Sequence, residues 1–403
     1  RRPTQSPQGE HALNLIRSLS LSLFALALLP ATRSEAAVTC GVGENLLSWP
    51  ANNPVWQMCW LPPNQSVGPR GSGMELRNVE YNGFRVLKRA HAPMLFAEYT
   101  GNTCYRDWKD TNSNFLAEPQ VRNQLGNSSL FQPTTSCDRS SHPTQSYGLC
   151  PFQVAGRTSA DCFSGVAIED TGRSLVLTTQ YSADWYLYTS RFMFYPDGSF
   201  DAQFGFGNRD GTGNGTTHWH HNYWRFDFDI DGAGDHVVAE NGVDQPVEFS
   251  ALRGAPGSTT WSVRNTVTGR GYELVPGAED YLVATNESGR NFHTVDFMAT
   301  RYIAGQYGDN PSYSLGDCGM NQAALVNGQS IDNQDVVLWY RVAVRDATAN
   351  NWPPGCGTGG NPPCIPQDSM ICKTAGPRLL PFGPWAPVND VIFAHDFEPA
   401  ASP

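Results

Sequence analysis

Two histidines one residue apart, His218 and His220, stand in the run HWHHNYWRFDFDIDG, which continues into Asp227, Asp229 and Asp231. On a strand, side chains alternate faces, so the spacing predicts His218 and His220 on one side and the three aspartates on the other. Imidazoles at i and i+2 suit a borderline ion such as copper or zinc, whereas carboxylates with backbone carbonyls suit calcium. A later segment, QDVVLWYRVAVRD, carries Asp335 and, eleven positions on, Asp346. Alternation again sends the two to opposite faces. Asp335 is therefore the candidate to join the carboxylates, and Asp346 the candidate to join the histidines.

The elements that must hold these residues read as strands. From about residue 72 to 345, short alternating segments rich in Val, Phe, Tyr, Trp and Thr are divided by Gly, Asn and Asp turns, an all-β pattern. The clearest hairpin runs from Arg191 to Tyr195, turns at Pro196-Asp197-Gly198, and returns over Ser199 to Phe206. Further strands are expected at Glu75 to Val79, Ser174 to Thr179, Asn222 to Ile230, Tyr281 to Thr285 and Asp335 to Val344, with no convincing amphipathic helix. The expected architecture is a large antiparallel β-sandwich.

Residues 1–36 read as an export signal, with Arg17 ahead of the apolar run Leu19 to Leu29 and a small-residue cleavage pattern at Ser34-Glu35-Ala36. Residues 37–350 form the expected sandwich domain. Residues 351–403, rich in Pro, Gly and Cys, read as a disulfide-stapled extension. Ten cysteines without C-x-x-C spacing favour disulfides over a zinc ribbon in an exported chain. No later stretch approaches the roughly 20 apolar residues of a membrane span. The net charge is −11, or −13 from residue 37 onward (23 Lys+Arg against 36 Asp+Glu), which argues against a nucleic-acid partner.

These segments together resemble the catalytic domain of the copper amine oxidases. That family carries an H-x-H copper motif followed by an acidic D-x-D-x-D-G run, and HWHHNYWRFDFDIDG is similar in spacing and type. It also carries a D-x-V-L-W-Y strand ending at a third copper histidine; here the strand is Asp335 to Tyr340, and Asp346 holds the histidine's position. The segment RSLVLTTQYSADWYLYTSRFMFYPDGSF resembles the strand whose tyrosine becomes a quinone. Counting back eleven residues from Asp197-Gly198 gives Tyr186, flanked by Trp185 and Leu187 where the family has asparagine and an acidic residue. GMELRNVEYNGFRVLKRAHAPMLFAEYTGN resembles the opening strands, with Tyr99 where the family contacts the quinone. CYRDWKD resembles the segment of the catalytic base, giving Asp107, with Asp110 as the alternative register.

The resemblance implies copper at His218, His220 and Asp346, topaquinone formed from Tyr186, and oxidation of a primary amine by O2 to aldehyde, ammonia and hydrogen peroxide. Asp107 would be the general base, with a raised pKa. It also implies a structural calcium at Asp227, Asp229 and Asp335 with the carbonyls of Phe228 and Val336, and a homodimer. Competing readings are a catalytically silent scaffold that binds metal or a partner, a zinc hydrolase built on His218, His220 and Asp346, and a carbohydrate-binding module. The last explains neither metal segment.

Overall fold

The computed structural model describes residues 38–61, 66, 72–99, 103–107, 122–123, 166–183, 186–208, 218–281, 295–305, 325–346 and 374–385. Residues 1–36, Asp110 and Trp185 lie outside that set, as do the side chains of Tyr99, Asp107, Tyr186, Leu187, His218 and Asp346.

Two large sheets stack face to face. The first runs β1 (Asn45–Trp49), β2 (Trp56–Leu61), β3 (Ser72–Tyr81), β4 (Phe84–Tyr99), β11 (His218–Phe228), β18 (Val336–Asp346), β17 (Phe297–Arg301), β14 (Phe249–Ala251), with β5 (Thr103–Asp107) paired to β4. The second runs β13 (Val243–Gln245), β12 (His236–Glu240), β15 (Trp261–Asn265), β16 (Gly271–Val275), β20 (Arg378–Phe382), β10 (Phe200–Asn208), β9 (Tyr186–Phe194), β8 (Leu175–Ala183), β7 (Val166–Asp170), β6 (Arg122–Asn123), with β19 (Thr374–Ala375) paired to β10. The ladders are antiparallel except for the short β6–β7 pair. An all-β antiparallel sandwich is what the alternation predicts.

Aromatic side chains from the inner faces fill the space between the sheets. Phe192 of β9 packs on Trp224 of β11 at 5.1 Å between ring centroids, Phe200 on Phe226 at 6.4 Å, and Trp56 on Phe194 at 4.8 Å. Burying one such phenylalanine contributes about 1.5–3 kcal/mol. Strand β11 is covered on both faces. Its even positions Trp224, Phe226 and Phe228 enter this main core, while Tyr223 joins a second cluster with Met94, Phe96, Met298, Val337 and Trp339. Double burial explains why aromatic residues occupy both faces of the strand between its histidines and its aspartates.

The expected hairpin forms, with longer arms than the sequence suggests. Asp197 Oδ1 accepts from the Ser199 amide at 2.9 Å and closes the turn. Gly198 sits at φ +86°, and a Cβ there would lie 2.5 Å from Cε1 of Tyr81, so glycine is required twice over. The first residue of the strand expected from Tyr281 to Thr285 is not extended. Ala278–Tyr281 is a 3-10 turn, because the Asp280 carboxylate accepts the Gly277 amide at 2.8 Å and curls the backbone; residues 282–285 lie outside the described set. Within the segment 351–403, β19 and β20 are strands of the second sheet, with Ala375 and Leu379 in the core. Among the described residues one disulfide, Cys40–Cys59, ties the chain before β1 to β2.

Candidate active site

Strand β11 lies between β4 and β18 over its whole length, and this register assembles the site. His218 is opposite Tyr99 on one side and Asp346 on the other. Directly opposed residues share a face, so one transverse row holds Tyr99, His218 and Asp346. The next row on that face holds Ala97, His220 and Val344, about 7 Å along the strand. The row after that holds Leu95, Asn222 and Val342, and Asp107 of β5 stands opposite Leu95. His220 and Asn222 are fully buried.

The second sheet brings Tyr186 to the same end. From the Phe192–Trp224 contact, three two-residue steps along β9 lead to Tyr186, and three along β11 lead to His218. Asn208, paired with Tyr186, ends β10, and residues 209–217 join it to His218. The backbone thus gathers positions 99, 107, 186, 218, 220 and 346 at one end of the sandwich. Two imidazoles and a carboxylate are an acceptable donor set for copper, so these residues fit that ion.

No protein-family model matches the sequence, and no curated protein does. Solved structures do match. The Hansenula polymorpha copper-containing benzylamine oxidase superposes with TM-score 0.53 at 13% identity, over 85% of this chain and 61% of that one. The Aspergillus nidulans amine oxidase gives 0.50 at 14%, over 89% and 55%. The Pichia pastoris lysyl oxidase gives 0.50 at 14%, over 81% and 51%. The chain has the copper amine oxidase fold. It spans between half and about three fifths of the length of these structures.

Behind these rows, on the other face of β11, lies a buried ionic network that sequence reasoning missed. His221 Nε2 donates to Glu98 Oε2 at 2.8 Å, and Arg341 Nη1 donates to His221 Nδ1 at 3.0 Å. An acceptor at Nδ1 and a donor at Nε2 describe the neutral imidazole. Arg341 also binds Asp296 Oδ1 and the Val295 carbonyl; Arg253 reaches Asp296 at 3.3 Å and the Asp280 carbonyl at 2.7 Å. Burial alone would raise the Asp296 carboxyl, but Arg341 and Arg253 outweigh it and hold the group below the usual carboxylate range. Asp280, deeper still and bonded by the Tyr340 hydroxyl, is pushed up by burial. The sequence signal was the third histidine of HWHH, which alternation sends away from His220.

The far end of the β11–β18 pair carries the expected calcium ligands, Phe228 being opposite Val336. Here β11 stops. Asp229 and Asp231 belong to a turn, with Asp231 at φ +59°, so alternation does not extend to them. Asp231 goes elsewhere, taking Thr268 and Arg270 at 2.7 Å each. Burial, followed by the charges of Asp227 and Asp229, pushes Asp335 up to about 7, against the pull of Lys88 and Arg225. The ligand oxygens of Asp227, Asp229 and Asp335 do not all come within 4.8 Å of one another; among the described residues the one such cluster is Cys40, Glu44 and Cys59, whose sulfurs are bonded to each other.

Proposed function

We propose that this chain is an exported copper-dependent oxidase that deaminates a primary amine to the aldehyde with release of ammonia and hydrogen peroxide. The observation that supports this most directly is the row Tyr99–His218–Asp346 beside His220, with Tyr186 in line across the sandwich. His218, His220 and Asp346 hold copper, and Tyr186 is the precursor of topaquinone. When bound, copper and the quinone supply the two-electron oxidation of the amine and the return of those electrons to O2. The chain supplies the rest. Asp107 takes the proton from the carbon next to nitrogen, Tyr99 orients the quinone by hydrogen bonding, and the apolar positions Leu95, Ala97, Val342 and Val344 exclude water around both. A homodimer belongs to the same proposal.

A second reading is favoured by two features of the sequence. Asp346 replaces the family's third histidine, and Trp185 and Leu187 replace polar neighbours of the quinone tyrosine, as a scaffold that keeps metal without amine oxidation would show. A quinone redox-cycling stain after aerobic copper loading separates the readings. A copper-dependent signal lost in Tyr186→Phe supports the oxidase; stoichiometric copper with no signal supports the silent scaffold.

A further inference from the structure

The fold family implies a calcium at the far end of β11, and the residues present do not fit it. We infer that the protein's own cations, Lys88 and Arg225, balance Asp227, Asp229 and Asp335, and that their presence excludes a divalent ion. The inference does not rest on amine oxidation, because it concerns the opposite end of the strand pair.

Arg225 lies two residues before Asp227 and so shares its face. Its Nη1 stands 3.4 Å from Asp227 Oδ2, and its side chain is 2% exposed. Lys88 comes from β4, between Leu87, opposite Phe228, and Arg89, opposite Asp227. Its charge acts on both Asp227 and Asp335. Tyr302 fixes both cations in place. The Tyr302 amide donates to the Asp335 carbonyl at 2.8 Å, and the ring then carries the Lys88 ammonium at 3.8 Å and the Arg225 guanidinium at 5.9 Å from its centroid. Trp339 supports the same guanidinium from 5.7 Å.

Two cations already stand against these carboxylates. A calcium ion in the same space would be repelled by the half-buried Lys88 ammonium and the buried Arg225 guanidinium. Its ligands would also have to close in, since the three carboxylates do not converge within 4.8 Å. One buried oxygen of Asp229 and one of Asp335 make no hydrogen bond. These are the atoms that would turn to a metal once the built-in cations were removed.

The test is calorimetric titration of the full chain, copper-loaded, with calcium chloride alone, together with elemental analysis of the purified protein. We expect no stoichiometric calcium and no calcium-dependent heat in the wild type. Lys88→Met, and the double change Lys88→Met with Arg225→Met, should gain one calcium site bound at least about tenfold more tightly than any wild-type binding. Should Lys88→Met fail to fold, Lys88→Gln serves, and the wild-type titration decides by itself. One calcium per wild-type chain overturns the inference, and so do folded variants that remain indifferent to calcium.

Discussion

Replacing Arg341 by Met should be among the costliest single changes in this protein, and the structure supplies the reason. Arg341 is 4% exposed and serves three acceptors: His221 Nδ1, the Val295 carbonyl and Asp296. Without it, two acceptors lose a charged donor inside the fold, and Asp296 keeps Arg253 at 3.3 Å as its remaining guanidinium among the described residues. Breaking a buried ionic arrangement by removing one partner costs about 3–5 kcal/mol. With an unfolding entropy of roughly 2 cal/mol/K per residue, a chain of this size loses about 1.3 °C per kcal/mol, so Tm should fall by about 4–6 °C. The control is Arg264→Met. Arg264 makes two short bonds to Asp244, at 2.7 and 2.6 Å, yet Asp244 is 52% exposed. An exposed pair contributes about 0–1 kcal/mol, which is roughly 1 °C. Differential scanning calorimetry of the three proteins measures both. Equal shifts for the two variants, or a larger one for Arg264→Met, would refute the claim that burial decides which ion pairs matter here.

Three further outcomes follow from named contacts. Burial lowers the pKa of His236, whose Nε2 donates to the Ile230 carbonyl at 3.3 Å, so the folded imidazole stays neutral where the unfolded one takes a proton. Its contribution is therefore present above the unfolded pKa near 6.5 and is lost as pH falls below it, so the stability of wild type relative to His236→Gln should decline between about pH 7.5 and 5.5 in urea melts. Gly198→Ala meets both a positive φ and the Tyr81 ring, and should cost about 2–4 kcal/mol, against about 1–2 for Gly172→Ala, which has φ +77° and nothing within 4 Å of the new Cβ; similar midpoints in chemical denaturation would count against the Tyr81 contact. Asp346→His should tighten copper and raise the yield of quinone stain, since it adds a third imidazole beside His218 and His220; unchanged copper affinity by competitive titration would remove position 346 from the ligand set.

How much of this was legible in sequence follows the range of each interaction. Alternation found the strands around His218, Asp335, Ser174 and Arg191, because a strand's two faces are written in neighbouring residues. Their lateral order was not written there: that β11 sits between β4 and β18, with partners such as Glu98 and Arg341 at 123 and 120 residues from His221, depends on which long-range pairing buries most. The resemblance to copper amine oxidases named the segments that carry the site, and the ladders are what place them side by side. At Tyr281, the first residue of an expected strand whose remaining residues lie outside the described set, the backbone is in a 3-10 turn, since the apolar Tyr281-Leu282-Val283 run says nothing of the Asp280 carboxylate that bends the chain just before it.

The carboxylate end shows a different limit, and it bears on how such motifs are read. Counting Asp227, Asp229 and Asp335 alone gives three negative charges awaiting a metal. Arg225 was readable from the same strand by the same two-residue rule, and including it cancels one of those charges from the sequence alone. Lys88 was not readable, because it arrives from β4 across a ladder. The choice between an ion and a built-in cation is thus settled by the neighbours of a ligand motif rather than by the motif. The end proposed to hold copper differs in kind. There the opposing positions, Tyr99, Ala97 and Val344, bring no fixed cation to compete with a metal at His218 and His220. One strand can therefore keep the acidic motif at one end as an internal salt cluster while its other end retains a donor set for a redox ion.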